Sequence, residues 1–177
     1  ILARKGLFDI VVARRLLEHA FDVSALLGVL KSLLVPGGKL VLEVPDCEGP
    51  FNQVDVSSLW EEHISYFTEN SFERSLRLNE LQTVEKQTFL YSGENALVFI
   101  AKDYKNHSLS LIDRPSKAEL TRASAFVESI EKLRKELLEV FETYVSKGGK
   151  IAILGAGHRS CTFLNLFGIG KLLEFVV

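Results

Sequence analysis

Two short apolar runs, Phe8 to Ala13 (FDIVVA) and Lys39 to Val44 (KLVLEV), flank a leucine-rich stretch and a Pro36-Gly37-Gly38 turn. This arrangement constrains the chain more than any other feature. The first run is β-branched and too continuous to alternate, as expected of a strand buried on both faces of a parallel sheet, and the second reads as another buried strand. Between them, Leu26, Leu27, Leu30, Leu33 and Leu34 recur at helical spacing, predicting a helix from Ser24 to Leu34. Asp22 or Ser24 can cap its start, and Pro36-Gly37-Gly38 is expected to stop it. Strand, helix and strand form a βαβ unit, whose strands run parallel through a right-handed crossover.

After the second strand, Asp46 to Leu59 reads as a long polar loop. Thr68 opens a helix to about Leu78, and Asn79 sits where a helix end often needs a left-handed residue. Thr83–Tyr91 and Ala96–Lys102 read as strands joined by the turn Ser92-Gly93-Glu94-Asn95, so the sheet is expected to finish antiparallel. Asp103 to Pro115 is a polar linker. Ser116 and Glu119 form a capping-box pattern, and a long amphipathic helix follows to about Ser146. Its apolar stripe is Leu120, Ala123, Val127, Ile130, Leu133, Leu137, Phe141 and Val145. One helix packed on a domain surface fits that stripe better than a coiled-coil dimer. Gly148-Gly149 ends it. Lys150–Leu154 then reads as a buried strand, Gly155–Gly157 as a glycine turn, Ser160–Phe167 as a helix, and a last strand begins near Leu173.

Composition narrows the function. The net charge of −2 and the absence of a basic run give no electrostatic support for a nucleic-acid partner. The longest apolar stretch, Leu26 to Val44, is broken by Lys31, Pro36, Gly37, Gly38 and Lys39, so no membrane span is expected. Two distant cysteines, Cys47 and Cys161, argue against a disulfide framework and against a zinc site within the chain. A cytoplasmic protein is expected. The chain has no methionine, starts at Ile1 on the approach to a strand and stops on Phe175-Val176-Val177. It therefore reads as a fragment.

In open α/β sheets, ligands sit beyond the carboxyl ends of the strands. That rule points to Arg14-Arg15-Leu16-Leu17-Glu18-His19 and to Glu43-Val44-Pro45-Asp46, although Glu18 and His19 can equally be a solvated helix start. FDIVVARRLLEHAFD followed by LLVPGGKLVLEVPD resembles the second half of a class I S-adenosylmethionine-dependent methyltransferase, over about Phe8 to Lys102. Trp60-Glu61-Glu62-His63-Ile64-Ser65-Tyr66-Phe67-Thr68 resembles the Tyr-x-Glu-His-x-x-Tyr-Phe-Ser signature of bacterial deoxysugar C-methyltransferases. Those enzymes methylate a ring carbon beside the ketone of a nucleotide-linked 4-ketohexose. Such a carbon must lose a proton, and a base with pKa near neutrality favours histidine.

The resemblance implies a Rossmann-like class I methyltransferase sheet, its C-terminal half ending in an antiparallel hairpin, over residues 1–103. A long helix and the start of a second Rossmann-like βαβ domain would fill residues 104–177. It implies S-adenosylmethionine as cofactor, bordered by Ala13 and Arg14. His63 would be the base, Glu62 its partner, and His19 a second polar group near the reacting carbon. Trp60 and Tyr66 would contact the substrate, although Trp60 stands where the family has Tyr. The turn Gly155-Ala156-Gly157 would offer backbone N–H groups to the phosphates of the sugar nucleotide, with Arg159 able to add charge. At the hairpin turn, Tyr91-Ser92-Gly93-Glu94-Asn95 departs from the family's His-Gly-Gly-Ser-like pattern, which leaves an altered sugar pocket open.

The family's glycine-rich cofactor loop, and its small zinc-binding module with clustered cysteines, would lie before Ile1. No metal site is expected within the chain itself, and the 177 residues alone are expected to be inactive. Three alternatives stay open. One is an oxidoreductase using Gly155-Ala156-Gly157-His158-Arg159-Ser160 as a dinucleotide fingerprint, with Glu174 near the ribose position. A second is an O- or N-methyltransferase acting on a small molecule, and a third is a non-catalytic module of the same fold.

Overall fold

The computed structural model describes residues 6–91, 93–104 and 114–177; Ser92 and most of the expected linker, 105–113, lie outside it. The described residues cluster into two compact units. Of the described residues, the first comprises those within 6–49 and 63–116, the second 50–62 and 117–177.

The first unit is mixed α/β. Its strands are β1 (Phe8–Arg14), β2 (Leu34–Pro45), β3 (Leu81–Tyr91) and β4 (Glu94–Asp103), in sheet order β1-β2-β4-β3. β1 pairs parallel with β2, whereas β4 is antiparallel to both β2 and β3, so the parallel pair and the closing hairpin are as expected. Helix α1 (Val23–Ser32) connects β1 to β2, and the carboxylate of Asp22 caps it by accepting from the Ala25 amide.

Pro36-Gly37-Gly38 does not stop this helix. The helix ends at Ser32, and the amide of Phe8 donates to the carbonyl of Leu33, capturing the chain into the sheet first. The triplet instead lies inside β2 as an irregularity, the pairing jumping from Phe8↔Leu34 to Ile10↔Lys39. Gly37 takes φ +82, and a side chain on Gly38 would stand 3.0–3.2 Å from Val35, Asp9 and Leu34. Both glycines are therefore demanded by the bulge.

Between β2 and β3 the expected loop is partly helical, with α2 (Glu48–Gln53) and a 3₁₀ turn at Val56–Ser58. Helix α3 (Glu69–Leu78) starts at a full capping box between Thr68 and Ser71, beginning where the sequence predicts. Its left-handed residue is Glu80 (φ +55) rather than Asn79 (φ −103). The Asn79 amide is occupied at the Ser75 carbonyl and the Ser24 hydroxyl, which holds that residue out of the left-handed region.

The core sits on one face of the sheet. Leu40, Leu42 and Val44 of β2 and Leu97, Phe99 and Ala101 of β4 are fully buried against Leu27, Phe72 and Leu76 of the helices. The expectation that β1 is covered on both faces fails, since Ile10 and Val12 are 60% and 58% exposed. Among the described residues β1 is an edge strand, and the helices cover the Val11 and Ala13 side alone.

The second unit contains the long helix α4 (Lys117–Ser146), then β5 (Ala152–Ile153), α5 (His158–Phe167) and β6 (Phe175–Val176). β5 and β6 pair in parallel, so strand, glycine turn, helix and strand follow the expected order. β5 is two residues long rather than five, and Leu154 is 91% exposed where a buried strand is expected. The buried residues of α4 are Phe126 and Ile130, while Leu120 and Val127 of the expected stripe are exposed. Phe126 takes the inward position by packing on Phe51 at 5.0 Å between ring centroids, which turns Val127 outward.

Candidate active site

The residue after β1 is held in an uncommon conformation. Arg15 takes φ +49, a region costly to a side-chain-bearing residue, and its amide is fixed by a 2.9 Å bond to the Glu43 carbonyl on β2. The two arginines close on the same carboxylate. Arg14 Nε donates to Glu43 at 2.6 Å, and Arg15 Nε does so at 3.4 Å. The Arg14 guanidinium, helped by Arg15, holds the Glu43 carboxyl below its ordinary pKa against the opposing effect of burial. Ala13 is buried in the core, and Arg14 is more than half exposed.

The backbone then turns through a 3₁₀ turn, Leu17–His19. Leu17 is fully buried and anchors it, and Glu18 beside it is also buried, at 1% exposure. Neither carboxylate oxygen of Glu18 has a hydrogen-bond partner among the described residues. Burial raises its carboxyl above the ordinary glutamate value, and its own amide, His19 and Arg15 offset only part of that rise. The backbone of Glu18 is tied down, because its carbonyl accepts from the amides of Ile64 (2.8 Å) and Ser65 (3.1 Å).

These two bonds bring His63 beside His19 across 44 residues of sequence. Their rings meet edge to face with centroids 4.8 Å apart, and the Tyr66 ring lies 6.1 Å from that of His63. One polar atom from each of Glu18, His19 and His63 falls within 4.8 Å of the others. Two imidazoles and a carboxylate suit a divalent cation by type. Their spread is wider than the roughly 3.4 Å between two donors sharing a tetrahedral zinc at about 2.1 Å. The chemistry open to the cluster is proton transfer, with both histidines half-buried and able to reach a ligand. Cys47 is not a competing nucleophile, because burial pushes its thiol up to about 12.

His19, His63 and Tyr66, all singled out in the sequence, therefore share one cluster. Glu62 is exposed, and the carboxylate that joins the histidine pair is that of Glu18. Burial of Glu18 was invisible in the sequence, where a charged residue in a strand-to-helix turn reads as solvated. The only trace is its place between Leu17 and His19 at the carboxyl end of a strand.

Trp60, Gly155 and Gly157 belong to the second unit. Trp60 stacks on His158 at 4.3 Å and 12°, and Glu61 accepts a 3.0 Å bond from Thr162. Gly155 takes φ +104 in the turn, and Gly157 caps α5. A cavity of about 370 Å³ opens beside them, lined by Val56, Leu59, Arg159, Ser160 and Phe163 among others. Glu174 precedes β6 and lies 3.9 Å from Lys150, so it does not stand at the carboxyl end of a strand. Among the described residues, no helix is long and apolar enough to cross a membrane.

Two family models match the chain. Residues 1–86 match the family model of a methyltransferase domain, and residues 105–177 match that of the C-methyltransferase C-terminal domain. Over these two stretches the chain is similar to methyltransferases, and in its C-terminal part to C-methyltransferases. The curated relative is C-methyltransferase NovU of Streptomyces niveus. It is 25% identical over 182 residues, a match covering 96% of this chain and 42% of the relative. The chain therefore spans less than half the length of that protein. Among solved structures, the B. subtilis M1A22 tRNA methyltransferase TrmK aligns over 94% of this chain and 62% of its own, at 13% identity and a TM-score of 0.34.

Proposed function

We propose that the chain forms part of an S-adenosylmethionine-dependent C-methyltransferase. Its acceptor would be the carbon beside the ketone of a nucleotide-linked 4-ketosugar, with His63 as the base. The observation that carries this reading is the apposition of His63 and His19 at the carboxyl end of β1. Two half-buried imidazoles there can take a proton from carbon and stabilise the charge that develops on the neighbouring ketone.

S-adenosylmethionine, when bound, supplies an electrophilic methyl group on a sulfonium. The described residues fit one side of such a group. The end of β1 is open at the more than half-exposed Arg14, whose charge is answered by Glu43. Ala13 and Arg14 would border it, Ala13 through its backbone because its side chain is in the core. His63 would hold the acceptor carbon's proton on one ring nitrogen. Glu62, next in sequence, would assist from the surface, and His19 would face the ketone oxygen. Trp60, Tyr66, Gly155 and Gly157 would contact the sugar nucleotide, the last two through backbone N–H groups at the start of α5.

The test is solvent-deuterium exchange at the acceptor carbon of a nucleotide-linked 4-ketohexose, together with methyl transfer, in protein containing this chain. Exchange that requires His63 supports the reading. Exchange at the parent rate in His63→Ala removes His63 as base, and failure to bind S-adenosylhomocysteine removes the reaction class.

A further inference from the structure

Glu18 is the one group of the histidine cluster to which the reaction proposed above assigns no task. We propose that Glu18 is the positioning residue of the histidine pair, orienting the rings of His19 and His63 and stabilising the imidazolium that forms when His63 takes a proton. The inference rests on that reading for the identity of the base.

Three observations carry it. First, Glu18 is 1% exposed, so it cannot touch a substrate and must act through its neighbours. Second, both its carboxylate oxygens are buried without a hydrogen-bond partner among the described residues. A carboxylate in that state is costly, and groups of this kind gather where a protein handles protons. Third, its main-chain carbonyl receives the amides of Ile64 and Ser65, so the residue that supplies the carboxylate also clamps the backbone next to His63. The spacing between carboxylate and imidazole is therefore set by two main-chain bonds, not by flexible surface side chains.

The separation of up to 4.8 Å exceeds a hydrogen bond of about 2.8 Å. Catalytic contacts that are long in an unliganded site commonly tighten around the substrate. The charged and titratable groups around Glu18 are His19 on its own turn, His63 on the crossing segment, Arg15 and Glu43 at the strand ends, and Cys47. Arg15 also bonds Glu43, and the two imidazoles, whose ligand atoms lie within 4.8 Å, are the groups Glu18 can orient. When His63 takes the proton from carbon, the Glu18 carboxylate stands beside the new imidazolium, and one positive charge meets one negative charge. No net charge is left buried.

The experiment is residue-resolved histidine titration, read by deuterium exchange at imidazole C2 with mass spectrometry. It is run on protein containing this chain and on its Glu18→Gln variant, with thermal unfolding alongside. Glu18→Gln should lower the exchange midpoint of His63 by at least about half a pH unit and leave the curve of His158 in place. It should lower acceptor-carbon exchange at least about tenfold through kcat rather than KM, with Glu18→Asp restoring part of it. An unmoved His63 curve in a folded Glu18→Gln chain overturns the proposal. If the Gln variant does not fold, Glu18→Asp decides, since it draws the same charge back by one methylene. A moved His63 curve then upholds the proposal, and an unmoved one overturns it. The titration needs no substrate, so its outcome is independent of whether the acceptor or the reaction is correctly assigned.

Discussion

The amide of Ile64 donates a 2.8 Å hydrogen bond to the carbonyl of Glu18, and the amide of Ser65 donates to the same oxygen at 3.1 Å. Through this pair of bonds a segment that follows a helical detour of the chain is laid against the turn after β1. The His19 and His63 rings meet as a result, and the side chain of Glu18 is sealed beneath them. Much of what can be tested follows from this junction.

His63→Ala should reduce proton exchange at the acceptor carbon by about 10²- to 10⁴-fold, the usual worth of a general base. Because His63 is only half-buried, its melting temperature should stay within a few degrees of the parent. A rate loss matched by a large fall in melting temperature would point to misfolding and not to lost chemistry. Exchange kinetics and calorimetry on the same sample separate the two.

Glu18 and Glu43 should give stability opposite dependences on pH. Folding raises the Glu18 carboxyl, so its contribution is complete below the ordinary glutamate value near about 4.3 and declines as pH rises through the native value. Folding lowers Glu43, so its contribution is present above that ordinary value and is lost as pH falls through the native one. Urea unfolding between pH 3 and pH 8 should show Glu18→Gln removing the decline toward neutral pH. Glu43→Gln should cost about 1 kcal/mol at pH 7, a modest figure because Arg14 is more than half exposed, and progressively less as pH falls through the native value.

Leu17→Ala should be among the costlier single changes near the site. Leu17 is 1% exposed and anchors the turn that carries Glu18 and His19, so truncation should cost about 2–4 kcal/mol. At roughly 2–4 °C per kcal/mol for a chain of this size, the melting temperature should fall by about 5–15 °C. A drop under about 2 °C would mean that the turn is held by its backbone alone.

Thr68→Ala should cost about 1 kcal/mol, because it removes one side of the capping box with Ser71. Thr68 is buried and directly follows Phe67, whose carbonyl accepts from Cys47. The loss should therefore appear as faster amide exchange in the first turn of α3 as well as in the melting temperature. Thr68→Ser, which keeps the cap, should restore most of both.

Much of this protein was legible in its sequence because the controlling interactions are local. Continuous apolar runs determined β1 and β2, leucine spacing determined α1, and Thr68 with its neighbours determined the start of α3. The methyltransferase resemblance likewise rests on contiguous motifs, and His19, His63 and Tyr66 could be selected from them.

Tertiary structure alone decided what depends on distant partners. Pro36-Gly37-Gly38 became a bulge inside β2 because Phe8 captured the chain first. Phe126 displaced Val127 from the buried face of α4 because Phe51 was there to meet it. Ile10 and Val12 are exposed because coverage of a strand depends on what packs over it, and hydrophobicity alone does not supply that cover. Glu18 is the sharpest case. Its charge and its place in a turn both argue for water, yet in the fold its side chain is buried while residues 64 and 65 bond its carbonyl. Periodicity records the bonds a residue makes within a few positions. Burial is imposed by segments tens of residues away, and local sequence carries no record of them.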